Sequence, residues 1–162
     1  MRLIVIGASG LIGNAVYHMA KKQGFSVVGT QNKVHDPEFY RYRLEDDDPE
    51  SFLQKIEFYR KRESACAVLS AAVSNINQCY EQPELSHAIN VDGIKRLVQV
   101  FAKNGIQMIY LSSDAVFDGR GGNYTENDNV QPLCIYGKQK AEVARYLQDN
   151  FPEVLIYRLA KQ

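Results

Sequence analysis

The chain has 162 residues, 45% of them hydrophobic, and its 19 basic and 19 acidic side chains leave no net formal charge. That suits one globular domain with a sizeable core and excludes a surface built to neutralise a nucleic-acid backbone; the tracts Lys21-Lys22 and Arg60-Lys61-Arg62 read as solvated helix ends. There is no apolar run of membrane-spanning length and no secretory pattern at the N-terminus, and the three widely spaced cysteines, Cys66, Cys79 and Cys134, suit neither a disulfide framework nor a zinc site. The expectations are a cytoplasmic setting with no membrane, nucleic-acid or metal partner, and thiols that are buried or inert.

Residues 3–6 form a short apolar run that reads as a buried strand and leads directly into Gly7, Gly10 and Gly13. A strand, a glycine loop and a helix in that order call for a phosphate. Gly7 would make the tight turn, Gly10 would let the backbone approach a pyrophosphate without a Cβ, and Gly13 would allow close packing of helix on strand. Ser9 and the N–H groups of Leu11 and Ile12 at the helix start would complete the cradle. The spacing is GxxGxxG, for which a ligand-free turn is the competing reading. The alternation of strand and helix patterns along the rest of the chain favours a dinucleotide.

The first helix continues through Ala15, Val16, Met19 and Ala20 and stops at Gly24, and a second strand covers residues 25–30. At the end of this strand an acid would bind the two ribose hydroxyls of NAD. The residues there are Thr30, Gln31, Asn32 and Lys33, neutral donors followed by a cation, which tolerate a 2′-phosphate. The cofactor expected is therefore NADP, with NAD as the alternative and Lys33 as a plain loop charge in the bland reading. A short third strand is predicted over residues 38–44. The acidic turn 45–48 that follows either lies near an adenine or caps the next helix, which runs from Asp47 or Asp48 to about Arg62 with Phe52, Ile56 and Tyr59 on one face.

Residues 65–72 read as an apolar strand whose small terminal residues, Ala71 and Ala72, would let a nicotinamide ribose lie against the backbone. A long helix from Pro83 to Lys103, stopped by Asn104-Gly105, contains Asn90, a poor helix former, either an ordinary polar residue or one that holds the neighbouring strand and a water near the active site. A fifth strand, 107–113, ends in Ser112 and Ser113, which should face the crevice at the carboxyl edge of the sheet. After the polar loop 118–126 and Pro132 a helix begins near Tyr136, and a sixth strand covers 154–159.

Tyr136 and Lys140, four apart at a helix start, share one face. A phenol with a reference pKa of about 10 is a poor acid–base catalyst at neutral pH. An ammonium at ~5 Å in an effective dielectric of ~20 favours the phenolate by roughly 3 kcal/mol, about two pKa units. Tyr136 would then give a proton to a ketone oxygen as hydride arrives from a nicotinamide, and Ser113 would donate a second hydrogen bond to that oxygen. Chance alone predicts about 0.6 Tyr-x-x-x-Lys pairs at this composition. The chain has three, Tyr17 with Lys21, Tyr136 with Lys140 and Tyr157 with Lys161, and only the middle one accompanies a strand-end hydroxyl in the predicted crevice.

GASGLIG at residues 7–13 resembles the phosphate loop of the extended short-chain dehydrogenase/reductases. Leu111-Ser-Ser-Asp-Ala-Val-Phe-Asp-Gly119, Tyr124-Thr-Glu-Asn-Asp128, Pro132 and Tyr136-Gly-Lys-Gln-Lys140 are similar to the dTDP-4-dehydrorhamnose reductase branch of that family. The resemblance covers nearly the whole chain. It implies an α/β fold of Rossmann type, a doubly wound parallel sheet of about six strands with helices on both faces, and NADPH-dependent reduction of a 4-keto group on a nucleotide-linked sugar. Ser113, Tyr136 and Lys140 would be its catalytic groups, and Asn90, in an N-V-x-G context, would support them. Ala115 stands where that branch commonly has tyrosine. Such enzymes also continue past the sixth strand into a smaller lobe that grips the nucleotide-sugar, so substrate recognition would need residues beyond these, a homodimer, or a partner subunit supplying the lobe. A non-catalytic regulatory subunit, like that of methionine adenosyltransferase, has similar motifs. A sugar-nucleotide epimerase or dehydratase also fits the triad, but those enzymes usually hold NAD, which the missing acid disfavours.

Overall fold

The computed structural model describes residues 1–33, 36–61 and 64–160. Six strands, β1 (Arg2–Ile6), β2 (Ser26–Gln31), β3 (Tyr40–Arg41), β4 (Ala65–Leu69), β5 (Gln107–Ser113) and β6 (Leu155–Leu159), form one sheet in the order β3-β2-β1-β4-β5-β6. Every pairing is parallel. The chain leaves β1 toward β2 on one side and returns to β4 on the other, so the carboxyl ends of β1 and β4 open a crevice.

Helix α1 (Leu11–Lys22) covers one face of β1 and β2, where Tyr17 meets Val5, Ala8 and Phe39 in a small core. The main core lies on the other face, against α2 (Pro49–Lys55), α6 (Ile94–Lys103) and α7 (Ile135–Asn150). Helices thus lie on both faces, but unequally. Strand register places Ile109, Leu111, Leu155, Tyr157 and Leu159 on the α1 side of β5 and β6. Among the described residues α1 does not reach them, and Leu155 and Tyr157 remain 57% and 55% exposed.

Helix ends follow their local chemistry. After α1 the N–H of Gly24 donates to Lys21 and that of Phe25 to Ala20, and Gly24 carries the positive φ of 82° that this reversal needs. Asp48, one of the two residues expected to cap α2, accepts from the N–H of Ser51 at 2.8 Å.

Several expectations need correction. The third strand shrinks to two residues. The helix expected to reach about residue 62 breaks at Glu57, whose φ is +55°, and resumes only as α3 (Phe58–Lys61); Phe52 and Ile56 stay buried while Tyr59 turns outward. Arg62, Val34, His35 and Lys161 lie outside the described residues. The segment before Pro83 contains α4 (Ile76–Glu81), capped by Asn75 and not expected from the sequence. The long helix from Pro83 to Lys103 runs unbroken but carries a π-helical segment (Ala88–Gly93) between α5 (Pro83–His87) and α6.

Candidate active site

The glycine loop joins β1 to α1 at the crevice. Gly7 has a φ of +94°, and a Cβ there would lie 2.7 Å from the Ala71 nitrogen just past β4. At Gly13 a Cβ would collide with the Gly7 carbonyl oxygen and lie 2.6 Å from Ser70 Oγ, so the helix packs on the loop only because no side chain intervenes. Gly10 differs: the nearest atom to its would-be Cβ is the Gly7 oxygen at 3.4 Å, and the residue faces solvent. Gly10 is also the N-cap of α1, with no side-chain cap and no acid in the first turn. Leu11 and Ile12 are 91% and 46% exposed, Ser9 is half-buried, and the helix start therefore presents backbone donors to the crevice. This cradle fits a pyrophosphate.

At the end of β2 the expected ribose-facing residues separate. Thr30 is 1% exposed, and its Oγ1 accepts a 2.9 Å hydrogen bond from the Gly7 N–H. Thr30 thus pins the glycine loop from below, with its side chain buried. Gln31 is also buried, its amide tying down the backbone of Asp36 and Phe39. Asn32, half-buried, and Lys33, exposed, are the residues that remain facing outward. Ala71 and Ala72 sit half-buried at the β4 end of the crevice, where the N–H groups of Ser70 and Ala71 both donate to the Ile6 carbonyl.

Ser113, Tyr136 and Lys140 meet at the carboxyl end of β5. Ser113 is buried; its hydroxyl donates to Asp114 Oδ1 at 3.0 Å and accepts from the Ala115 N–H at 3.2 Å. Ser112, also buried, leaves its hydroxyl without a partner. Lys140 is 3% exposed; its Nζ donates to the Leu111 carbonyl at 2.8 Å and lies 5.8 Å from the centre of the Tyr136 ring.

The electrostatics differ from those expected. The Tyr136 phenol is raised above its ordinary value, chiefly by burial and next by the Cys79 thiol; a side-chain hydrogen bond with Ser113 pulls it down, and Asp114 and Cys134 push it up. Lys140 is not among the groups that move it, and burial lowers Lys140 itself to about 8. The thiols of Cys66 and Cys79 are raised by burial, as suits unreactive cysteines. Cys134 is the N-cap of α7, its sulfur accepting from the Gly137 N–H at 3.3 Å.

Asn90 joins three elements. Its Oδ1 accepts from the Val73 N–H at 2.7 Å, and its Nδ2 donates to the Val73 carbonyl at 2.9 Å and to Gln139 Oε1 at 2.8 Å. Gln139 Nε2 in turn donates to Ser86 Oγ at 2.8 Å, and that hydroxyl donates to the Pro83 carbonyl. Asn90, Gln139 and Ser86 are at most 3% exposed. The network fixes the segment after β4 against the helix that carries Tyr136 and Lys140. Gln139 and Ser86 were not singled out from sequence; Gln139, buried directly before Lys140, carries no period or motif that marks it.

Beyond β5, Phe117 and Tyr124 stack with ring centres 4.3 Å apart, and Arg158 of β6 lies over Phe117 while donating to the Glu126 carbonyl. The Tyr124 hydroxyl donates to Asp118, so the motif 117–124 folds into an ordered loop at the rim. Among the described residues no group of three or more His, Cys, Asp or Glu side chains is placed to hold a metal, and no helix is long and apolar enough to cross a membrane.

Comparison with known proteins places the chain in a family. The family described as RmlD substrate binding domain matches residues 1–161. The chain belongs to that family. Among curated proteins it is 30% identical over 163 residues to a probable low-salt glycan biosynthesis reductase, Agl14, of Haloferax volcanii, covering 99% of this chain and 53% of the relative. It is 32% identical over 158 residues to methionine adenosyltransferase 2 subunit beta of Xenopus laevis, covering 98% and 46%. A dTDP-4-dehydrorhamnose reductase of Aggregatibacter actinomycetemcomitans is 34% identical over 90 residues, 55% of this chain and 31% of that one. Among solved structures, a hypothetical dTDP-4-dehydrorhamnose reductase from Sulfolobus tokodaii superposes with a TM-score of 0.83 at 28% identity, covering 99% of this chain and 56% of that one. A UDP-glucose 4-epimerase superposes with a TM-score of 0.82 at 23% identity over 98% of this chain and 51% of its own, which speaks for a shared fold alone. The chain spans about half the length of the curated relatives that it matches nearly end to end. In this RmlD-type domain, then, the glycine loop and the Ser–Tyr–Lys cluster occupy one edge of a short-chain-dehydrogenase-like sheet.

Proposed function

We propose that the chain is the cofactor-binding and catalytic portion of an NADPH-dependent reductase acting on a 4-keto nucleotide-sugar of the dTDP-4-dehydrorhamnose kind. The observation that carries the reading is convergence: an uncapped helix start behind Gly10, after β1, and the Ser113, Tyr136 and Lys140 side chains, at the end of β5, lie on the same carboxyl edge of the sheet with only β4 between them. The relatives' printed functions support it, and so does the NADP named with a Bacillus anthracis dTDP-4-dehydrorhamnose reductase of the same fold. Ser9, Gly10 and the N–H groups of Leu11, Ile12 and Gly13 would hold the pyrophosphate. Asn32 and Lys33 would face the 2′-phosphate, with NAD the alternative cofactor, and Ala71 and Ala72 would leave room for the nicotinamide ribose. The cofactor supplies a hydride when bound. Tyr136 gives its phenolic proton to the ketone oxygen, Ser113 turns its hydroxyl from Asp114 to that oxygen, and Lys140 supplies positive charge behind the phenol.

A second reading is a regulatory subunit that binds nucleotide without turnover. It is favoured by the methionine adenosyltransferase subunit similarity and by two features of the site: the Ser113 proton is engaged by Asp114, and Tyr136 is raised. Calorimetric titration with NADPH and NADH, followed by a turnover assay on dTDP-4-dehydrorhamnose, separates the readings. NADPH-selective binding with turnover supports the reductase, binding without turnover by the complete protein supports the subunit, and no binding overturns both.

A further inference from the structure

Lys140 is the most costly group in the site, a cation on α7 inside the core at the end of β5. An ammonium has three N–H donors, and the Leu111 carbonyl takes one at 2.8 Å. The remaining charge meets an aromatic ring: Nζ lies 4.6 Å from the centre of Tyr110, nearer than the 5.8 Å to Tyr136. Tyr110 is fully buried in β5, and its hydroxyl has no hydrogen-bond partner. That hydroxyl offers the ammonium no bond, and a phenylalanine would present the same ring face. The ring face, by contrast, carries negative quadrupole that attracts an ammonium most strongly where water is excluded.

We propose that Tyr110 is a positioning residue whose ring face holds the Lys140 ammonium charged and in place beside Tyr136. The assignment of Lys140 to proton transfer rests on the reductase reading; the contact between the two side chains does not. Tyr136, Cys79 and Cys134 also surround the site, from α7, α4 and the N-cap of α7, and Asp114 lies beside them after β5. Weakening the ring face of Tyr110 leaves all four of these groups in place.

The test reads Lys140 directly, with no need of turnover. In protein labelled with ¹⁵N-lysine, the Nζ resonance of Lys140, assigned by its loss in Lys140→Met, is titrated with pH in three forms: wild type, Tyr110→Phe, and protein carrying a trifluorinated phenylalanine at position 110. The last keeps the ring's shape and removes most of its quadrupole. The Phe variant should titrate as wild type does, and the fluorinated one should titrate lower by about one pKa unit, the size expected of a desolvated cation–π contact. Equal midpoints in all three forms would overturn the proposal, and so would a Phe variant displaced as far as the fluorinated one, which would give the role to the hydroxyl. NADPH affinity measured on the same samples is a separate readout: if none of them binds, the reductase reading fails while the Nζ titration still decides the role of Tyr110.

Discussion

Gly10 and Gly13 stand one helical turn apart and should fail in different ways when given a methyl group. At Gly13 the new Cβ has no space between the Gly7 carbonyl and Ser70, so Gly13→Ala forces the helix off the loop. The expected cost is ~1–3 kcal/mol of stability, with NADPH binding lost as well. At Gly10 the Cβ points outward with its nearest neighbour at 3.4 Å. Gly10→Ala should leave urea denaturation within about 0.5 kcal/mol of wild type yet weaken NADPH at least ~10-fold by blocking the approach of the pyrophosphate. Equal NADPH affinity in Gly10→Ala and wild type would move the phosphate elsewhere. Tyr136→Phe makes the complementary case: loss of the proton donor should lower turnover by ~10²–10⁴ while calorimetry finds NADPH affinity unchanged. A rate within a few-fold of wild type would remove Tyr136 from the chemistry.

The Asn90–Gln139–Ser86 chain acts between elements, and its energetics should be those of a network. Asn90→Ala leaves both polar groups of Val73 and the Gln139 oxygen without partners inside the core, and Gln139→Ala takes one acceptor from Asn90 and the donor from the Ser86 hydroxyl. Each change should cost ~1–3 kcal/mol. The double mutant should fall short of the sum by at least ~0.5 kcal/mol, and additivity in the denaturation cycle would show that the two side chains act separately. This network also marks where the sequence stopped being legible. β5 was readable to the residue because apolar side chains run unbroken to Ser112-Ser113, and α1 because Gly24 ends it. The π-helical turn at Ala88–Gly93 leaves no such mark: Asn90 is a poor helix former there but does not tell a π turn from an α turn, and the close fit of Gly93 to Leu44, whose carbonyl a Cβ would strike, is a tertiary contact. α4 was missed because six residues with one buried side chain carry no period. Thr30 sits at the strand end the sequence points to, but its bond to Gly7 is not legible there, since sequence cannot tell a hydroxyl that faces the crevice from one that pins the loop.

At the scale of the whole molecule, Lys140 makes folding stability depend on pH in a direction opposite to that of most lysines. Its usual value of 10.5 falls to about 8 in the fold, so between those limits the unfolded chain binds more protons than the folded one. Stability therefore rises with pH through this window, and below about 8 the full penalty of burying the cation is present. A shift of this size corresponds to roughly 3 kcal/mol, and Lys140→Met forgoes about 1 kcal/mol by leaving the Leu111 carbonyl without its donor. The methionine variant should accordingly be more stable than wild type by about 2 kcal/mol at pH 7, and the advantage should vanish or reverse by pH 10. Other groups confuse the raw profile: the raised thiols of Cys66 and Cys79 and the raised phenols of Tyr110 and Tyr136 make the fold less stable as pH climbs past their unfolded values. These contributions are common to both proteins and largely cancel in the difference between the two urea midpoints. A difference that stays flat from pH 6 to 10 would mean that Lys140 remains fully charged in the fold. The site would then hold a strong cation without penalty, and its Tyr136 would be a readier proton donor than its burial implies.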